Sequence, residues 1–392
     1  METKFGKSVL CLAMLGAVSS MCYAQSSVTL YGVLDNSVMY QSNVKGGTRV
    51  SLDALTGLYG SRWGMTGVED LGGGLRAIFT LESGINLNNG QFGQGGTAFG
   101  RQAFVGLSSD RMGSLTFGRQ YDMIFYYPLP LTPGTLVGGP APVHPGDVDN
   151  AANSIRINNS IRYMSPSFHG LTFGGEYSVG GIAGNVTANS GYSVGTAYAY
   201  GPFKIGAAFE YFKDPTSSTP GSGFFTAYAN GVSTLSQSLN KGYVSAQAYQ
   251  SAVLAANYTI GKLVLATSLS NAQYANLGTA FANGTARFNN VDVGATYLIT
   301  PFLFVGGSYD YMTSKGVRTS DGQTVGNQHY HQLALLTDYL FSKRTDVWFT
   351  VGWQHASGTS SIGSPAVADI DSLGDSSNNH QLLLRLGLKH KF

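Results

Sequence analysis

Residues 171–179 read LTFGGEYSV, and the alternation in this stretch decides the fold class. Apart from Gly175, the odd positions are apolar or aromatic, whereas the even positions are small or polar. Successive side chains of a β-strand point to opposite faces, so one face of this strand requires a nonpolar medium and the other requires water. The same period recurs in LRAIFTLE at 75–82, NVDVGATY at 290–297 and QLLLRLGL at 381–388. The chain is therefore predicted to be all-β.

The spacing of the connections separates a membrane barrel from a soluble sandwich, which would show the same alternation. Short turns are expected near 69–74, 109–113, 165–170, 201–202, 261–262, 300–301 and 342–345. Long polar loops are expected near 42–57, 87–98, 121–153, 180–190, 214–245, 275–287, 313–328 and 357–378. Seven turns and eight loops give sixteen strands with both termini on the short-turn side. This even count predicts a closed antiparallel transmembrane β-barrel, because closure removes the unpaired edges that lipid cannot solvate.

The first 24 residues have the pattern of a secretory signal peptide. Lys4 and Lys7 form a basic start, residues 9–18 an apolar core, and 22–24 (CYA) a cleavage site before Gln25. A membrane-spanning helix needs roughly 20 apolar residues, about twice the length of this run. The expected division is a signal peptide at 1–24 and a barrel at 25–392, which contains neither of the two cysteines.

Composition argues against several classes of function. The whole chain has 23 Lys and Arg against 21 Asp and Glu, which is not the basic excess of a nucleic-acid-binding protein. No Ser/His/Asp spacing and no Gly-Lys-Ser/Thr phosphate loop stands out, so neither enzymatic activity nor a cofactor is predicted. Two alternatives stay open: a barrel enzyme of the outer membrane, and an adhesin or receptor that acts through loops 214–245 and 357–378.

Residues 61–82, SRWGMTGVEDLGGGLRAIFTLE, resemble the signature of the general porins of Gram-negative bacteria, in particular the β-proteobacterial, Burkholderia- and Neisseria-like branch. Further matches are SVTLYG at 27–32, RQAFVGL at 101–107, GRQY at 118–121 and the terminal Phe392. Two departures are Thr66, where the family commonly has a basic residue, and the lack of a Pro-Glu-Phe-Gly-Gly element in 121–153.

The resemblance implies a homotrimer of sixteen-stranded barrels in the outer membrane, each with a water-filled pore that a third loop narrows by folding inward. It implies passive diffusion of ions and small hydrophilic solutes, and contact with membrane lipid and lipopolysaccharide. Phe392 would be the C-terminal signal that the barrel-assembly machinery reads. We expect the trimer contact on the outward residues of the first five strands and on loop 87–98.

Strand parity identifies arginines that point into the barrel. Arg62, Arg76, Arg156 and Arg162 each alternate with apolar neighbours and are predicted on the water face. An arginine on the lipid face at the bilayer midplane would cost about 2–4 kcal/mol, which favours the inward placement. The alternative is a position near the rim, where an arginine meets headgroups.

Arg119 and Arg101 conflict with this parity. Strict alternation places Arg119 on the face of Leu115 and Phe117, unless Gly118 marks a bulge or the strand is already turning inward. The resemblance assigns Arg119 to a basic cluster on the pore wall beside the other arginines. We therefore expect Arg119, and with less support Arg101, to face the pore.

Segment 121–153 is predicted to be the loop that enters the barrel. It is stiffened by six of the twelve prolines, Pro128, Pro130, Pro133, Pro140, Pro142 and Pro145. Its carboxylates Asp122, Asp147 and Asp149 are expected to face the arginines across the lumen and create a transverse field. The alternative is a surface loop with solvated aspartates. Taken together, the wall arginines predict a channel that favours anions.

No metal site is predicted. His329 and His331 share one face of a strand, but two histidines without a third ligand do not make a site.

Overall fold

The computed structural model describes residues 26–139, 141–216, 224 and 234–392. The predicted signal peptide lies outside the described residues, as does most of the tip of the predicted loop 214–245. The strands are β1 (Ser27–Val44), β2 (Gly47–Asp53), β3 (Arg62–Gly72), β4 (Leu75–Gly84), β5 (Gln102–Ser109), β6 (Gly113–Gln120), β7 (Ile157–Met164), β8 (Leu171–Ser178), β9 (Gly191–Tyr200), β10 (Phe203–Lys213), β11 (Ala248–Ile260), β12 (Leu263–Ala275), β13 (Ala286–Thr300), β14 (Leu303–Arg318), β15 (Thr324–Leu340), β16 (Thr345–Gly358) and β17 (His380–Lys391).

Short helical segments occur only in connections within the described part of the chain. They are α1 (Gly93–Gly96), α2 (Met123–Tyr126), α3 (Pro133–Gly138) and the 3₁₀ turns Leu129–Leu131, Pro145–Asp147, Thr234–Ser236, Lys241–Tyr243 and Thr279–Phe281. None of the described helices is long and apolar enough to cross a membrane.

The strands form one closed antiparallel barrel. β1 pairs with β3 over its first part and with β2 over its second, so β2 and β3 are two pieces of one barrel strand. The other edge of β1 pairs with β17, which closes the sheet. Counted around the barrel there are sixteen strands, and the predicted fold class is confirmed. The predicted short turns are also present, for example Gly201-Pro202 between β9 and β10.

The two faces of the sheet differ as the alternation predicts. On β8, Leu171, Phe173 and Tyr177 are exposed on the outside, whereas Glu176 and Ser178 are buried inside. An exposed apolar face of this extent is unfavourable in water but suits a lipid environment.

The third long loop, residues 121–156 between β6 and β7, lies inside the barrel, as predicted. In α2, Met123 packs on Ala208 of β10 and Val253 of β11. In α3, Val137 packs in the same cluster as Trp348 of β16. Because both contacts are on inward-facing side chains, the loop follows the inner wall around half of the barrel.

Local sequence explains how this loop keeps its shape without strand pairing. The Asp122 carboxylate accepts hydrogen bonds from the backbone N–H groups of Ile124 (2.7 Å) and Phe125 (3.1 Å), which caps α2. The Thr132 hydroxyl accepts the N–H of Thr135 at 3.4 Å and caps α3, which begins with Pro133. Proline suits the first helical position because its missing N–H would have no partner there.

The long connection between β10 and β11 packs over the third loop. Leu235, Leu239 and Tyr243, between β10 and β11, belong to one buried cluster with Val148 and Ile155 of the third loop. Apolar side chains therefore fill this part of the interior. The third loop is held between the barrel wall and the connection from β10 to β11.

Gly118 occupies a backbone conformation that restricts its replacement. Its φ is +142°, and a Cβ there would lie 2.2 Å from the carbonyl oxygen of Ala103 on the paired strand β5. Gly118→Ala is expected to lower the free energy of unfolding by roughly 1–3 kcal/mol, because neither backbone can move without losing ladder hydrogen bonds. Urea unfolding of the refolded barrel in detergent measures this effect.

The matched control is Gly175→Ala on β8, where the nearest atom to the new Cβ lies 3.7 Å away. This variant is expected to unfold at nearly the urea concentration of the parent protein. Equal destabilisation of the two variants would show that the close approach at Gly118 is not the cause.

Candidate functional site

A cavity of about 280 Å³ lies between the third loop and the barrel wall. The wall strands contribute Arg62, Glu82 and Gln102, and the connections next to them contribute Tyr59, Gln94 and Arg101. The third loop contributes Tyr121, Phe125, Leu129, Thr135, Asn153 and Arg156, and the loop before β17 contributes Asp371 and Ser372. These residues define the central cavity, which is the candidate functional site.

One carboxylate organises the basic wall of the central cavity. Arg101 Nε lies 2.8 Å from Glu82 Oε1, and Arg62 Nε lies 3.6 Å from Glu82 Oε2. The hydroxyls of Tyr31 (3.0 Å) and Tyr121 (3.1 Å) also donate to this carboxylate. Charge-assisted hydrogen bonds of this kind favour the ionised carboxylate, so Glu82 holds two guanidinium groups side by side.

Arg156 extends the basic wall from the end of the third loop. Its guanidinium lies 5.6 Å from the ring centre of Tyr121, and that of Arg101 lies 5.8 Å from the same ring. Nη1 of Arg156 donates to the carbonyl oxygen of Ser154 at 3.0 Å. Tyr121 therefore stands between two cations, both within the range of a cation–π contact.

Arg119 does not line the central cavity, although the resemblance assigned it to the pore wall. Its Nε donates to the carbonyl oxygen of Gly100 at 2.8 Å, and its Nη1 binds the side chain of Asn158 and the carbonyl oxygen of Arg156 (3.4 Å). The Arg119 side chain thus lies along the sheet, and the wall side of Arg156 separates it from the central cavity.

Unbroken alternation along β6 explains this placement of Arg119. Gly118 pairs with Ser160 and Gln120 with Ile157, so the extra residue of the irregularity belongs to β7 and not to β6. The parity of β6 is unchanged, and the buried Gln120 still shares the inner face with Thr116, which it contacts by a side-chain hydrogen bond. The inward reset considered at Gly118 does not occur.

The remaining two arginines lie elsewhere. Arg162 is buried below the start of the third loop, where Nη1 donates to the Tyr126 hydroxyl at 2.6 Å and to the Tyr121 carbonyl oxygen at 3.3 Å. Burial raises the pKa of Tyr126 to about 12, so this hydroxyl stays protonated. Arg76 pairs with Asp110 beside the short turns, which is the rim position considered as the alternative. Of the six predicted arginines, Arg62, Arg101 and Arg156 line the central cavity.

The carboxylates of the third loop are buried and do not line the central cavity. Asp122 caps α2 and also accepts a hydrogen bond from the side chain of Asn150 at 2.9 Å. Asp147 accepts the backbone N–H groups of Ala152 (2.6 Å) and Ser154 (2.9 Å). Burial raises the pKa of Asp122, and burial together with the neighbouring carboxylates raises the pKa of Asp147.

Asp149 is also directed away from the central cavity. Its carboxylate lies 2.6 Å from Nδ1 of His144 and accepts the backbone N–H of Ala151 at 3.2 Å. These three aspartates therefore hold the loop together and attach it to the wall. A backbone that leaves the sheet must find other hydrogen-bond partners when it is buried, and carboxylates supply them.

Sequence reasoning missed several charged groups near the central cavity. Glu82 could have been found, because it shares the inward parity of Arg76 on β4. Lys389 could have been found by the same argument on β17, where it lies opposite Asp346 and forms an ion pair with it at 2.9 Å. Its Nζ also lies 4.7 Å from the ring centre of Tyr59. The position of Asp371 could not be predicted, because it lies in a loop whose sequence shows no alternation from which the direction of its side chains could be inferred.

Two other predicted groups have clear positions. Phe392 exchanges backbone hydrogen bonds of 3.1 Å with Gly32, which completes the pairing of β1 with the C-terminus. The role of Phe392 as an assembly signal stays a prediction. His329 and His331 lie on the outer face, where His331 Nδ1 is 2.7 Å from the Tyr309 hydroxyl.

The family described as Gram-negative porin matches residues 11–359 of this chain. Outer membrane porin protein 32 of Delftia acidovorans is 27% identical over 402 residues, which are 98% of this chain and 99% of that protein. An outer membrane porin protein of Bordetella pertussis is 36% identical over 222 residues, which are 53% of this chain and 57% of that protein.

Solved structures show the same fold. The anion-selective porin from Comamonas acidovorans superposes with a TM-score of 0.65 at 22% identity, over 94% of this chain and all of that chain. The trimer form of OmpT from Vibrio cholerae superposes with a TM-score of 0.60 at 13% identity, over 94% of this chain and 99% of that one.

The placement of Asp122 leads to a prediction about the loop. Asp122→Ala is expected to accelerate hydrogen exchange of the α2 amides, because loss of a helix cap costs roughly 0.5–2 kcal/mol. Asp122→Asn retains a capping oxygen and should preserve most of the protection. Hydrogen exchange followed by mass spectrometry of peptides that cover 121–130 measures both.

The same pair tests where the carboxylate acts. Since Asp122 is buried away from the central cavity, Asp122→Asn should leave the reversal potential of the channel in a salt gradient unchanged. A clear shift in that potential would place the charge on the ion path and contradict the geometry.

Proposed function

The chain belongs to the Gram-negative porin family, and from this premise we propose that it forms a water-filled pore in the outer membrane that passes small hydrophilic solutes by diffusion and favours anions. The observation that carries the anion preference is the basic wall of the central cavity. Arg62, Arg101 and Arg156 contribute three positive charges there, against the carboxylates of Glu82 and Asp371.

Geometry explains why these charges would act on a passing ion. The cavity is bounded by protein on both sides, and low-dielectric walls concentrate the field of the charges between them. Glu82 is engaged by Arg62 and Arg101 on the wall itself, so it neutralises part of their charge at short range. Arg156 has no carboxylate within ion-pair distance in the described part of the chain, and its charge is therefore less compensated.

The opposite side of the central cavity supports the same conclusion. Apart from Arg156 at its end, the third loop presents neutral groups such as Phe125, Leu129 and Thr135, while its aspartates are directed into the loop. A neutral surface opposite a basic wall gives a weaker transverse field than the predicted pair of opposed charges, but a net positive potential. This arrangement favours anions over cations. The structurally similar porin from Comamonas acidovorans is anion-selective, which agrees with the proposal.

Replacing two wall arginines tests the proposal. A charge at about 4 Å acts on an ion with roughly 1 kcal/mol in water, so Arg62→Gln with Arg156→Gln should lower the anion-to-cation permeability ratio by roughly five- to tenfold at low salt. Reversal potentials in a potassium chloride gradient across planar bilayers measure the ratio.

Two matched controls remove the same charge from other places. Arg76→Gln acts at the rim and Arg119→Gln behind the wall, and each should change the ratio much less than the double variant. An unchanged ratio in the double variant would overturn the role of the wall. The absence of ohmic conductance in the parent protein would overturn the channel itself.

We further propose a homotrimer that contacts lipid and lipopolysaccharide through its outer surface and reaches the membrane through the barrel-assembly machinery. The family resemblance and the trimer form of the related Vibrio cholerae structure support this state. The outward apolar residues of β1, such as Val28 and Leu30, are exposed and available for such a contact.

The oligomeric state has a direct test. Unheated samples on denaturing gels are expected to run at the mass of a trimer and to convert to the monomer on boiling. Monomer mobility without heating would contradict the trimer and leave the channel proposal intact.

A further inference from the structure

A buried polar cluster joins the third loop to the far wall of the barrel. It consists of His144 of the loop, Asp292 of β13 and Asp310 of β14, and their side chains are at most 3% exposed. Asp292 and Asp310 lie directly opposite each other on paired strands. The cluster is separate from the central cavity, and nothing in the proposed channel function requires it.

The distances are too long for hydrogen bonds but suit a shared ion. Nε2 of His144 lies 3.6 Å from Asp292 Oδ2 and 4.0 Å from Asp310 Oδ2. One donor atom from each residue can be chosen so that all three lie within 4.8 Å of one another. Nitrogen and oxygen ligands lie about 2.0–2.2 Å from Zn²⁺, which places neighbouring donors of a tetrahedral site roughly 3.4 Å apart.

The atoms that face this space have no hydrogen-bond partner in the described part of the chain. They are Nε2 of His144, Oδ2 of Asp292 and both carboxylate oxygens of Asp310. No lysine or arginine among the described residues forms an ion pair with either aspartate. A buried carboxylate must be compensated by a cation or neutralised by a proton, and an ion held between the three donor atoms would compensate both aspartates at once.

The surrounding groups hold the donor atoms in place. Nδ1 of His144 lies 2.6 Å from the Asp149 carboxylate, which directs the other ring nitrogen towards Asp292 and Asp310. The hydroxyl of Ser270 donates to Asp149, and that of Ser268 donates to Oδ1 of Asp292, which leaves Oδ2 of Asp292 free. A carboxylate that orients a histidine in this way is the usual support of a metal ligand.

We propose that His144, Asp292 and Asp310 bind one divalent transition-metal ion, with Zn²⁺ as the best match, and that this ion clamps the third loop to β13 and β14. One imidazole nitrogen with two carboxylates is a ligand set that suits zinc better than magnesium or calcium, which prefer oxygen alone. Asn290, which is buried on the same face of β13 as Asp292, lies beside the cluster and interacts with the Asp310 carboxylate.

Metal uptake by the full chain tests the proposal. The barrel refolded in detergent is stripped with a chelator, incubated with zinc chloride and passed over a desalting column, and its zinc is measured by mass spectrometry. About one zinc per chain is expected for the parent protein, and a retained amount at least about tenfold lower for Asp292→Asn and for Asp310→Asn.

Histidine variants separate this site from the outer face. His144→Gln is expected to lose the ion, whereas His331→Gln, on the lipid-facing side of β15, is expected to retain it. Gel mobility before and after heating shows which variants are folded barrels. Asp292 and Asp310 lie on different strands, so a folding defect in one variant need not affect the other. One variant that folds is sufficient to test the loss of zinc.

Cobalt gives a second readout on the parent protein alone. Co²⁺ in a site with a histidine ligand produces visible absorption bands, and zinc should abolish them by competition. Hydrogen exchange of residues 141–149 should slow when zinc is added to the parent protein and stay unchanged in Asp310→Asn. No zinc or cobalt retained by the parent protein would overturn the proposal and assign the positive charge to a protonated His144. Equal retention by His144→Gln would also overturn it, by placing the bound ion at another site.

Discussion

Closure of the sheet is the constraint on which the rest of the structure depends. Backbone N–H and C=O groups have no partner in lipid, so a strand at an open edge would leave a row of them unsatisfied. Here β1 pairs on one edge with β2 and β3 and on the other with β17, and Phe392 continues the pairing to Gly32. Once every strand is paired, the two faces of the sheet can differ completely in polarity.

That difference produces an interior with many charges, and the charges must compensate one another. Glu82 binds Arg62 and Arg101 on one side of the barrel, while Lys389 binds Asp346 on another. Each pair is made across neighbouring strands, where side chains on the same face lie close together. The excess of positive charge remains where the third loop leaves the wall uncovered, and the central cavity forms there.

The sequence predicts the barrel well because alternation and turn spacing are local properties. The alternation of side chains with a period of two predicts the strands and the inward position of Arg62. The lengths of the segments between strands predict the short turns and the count of sixteen. Arg119 shows the limit of the family resemblance. Its parity pointed outward and the family resemblance pointed inward, and the structure follows the parity, because the extra residue of the irregularity lies on β7 and leaves the alternation of β6 unchanged.

The loop aspartates show a different limit. Asp122, Asp147 and Asp149 were expected opposite the arginines because an acidic loop and a basic wall suggest attraction. The burial of the loop backbone outweighs that attraction, since unpaired N–H groups inside the protein must find acceptors. Asp122 and Asp147 therefore accept backbone N–H groups of the loop with their carboxylates. Sequence alone cannot show this, because it depends on which segments of the loop are enclosed.

The third loop therefore makes different contacts with the two sides of the barrel. Towards β8–β16 the third loop is fixed by apolar packing of α2 and α3, by its own caps and by the cluster around His144. Towards β3–β6 it touches the wall through the hydrogen bond from Tyr121 to Glu82 and leaves the central cavity beside that contact. A loop that is fixed on one side keeps a constant distance from the other, so the width of the passage depends on contacts far from the arginines. For the proposed channel, the polar groups that attach the loop would therefore affect permeation although they do not line the central cavity.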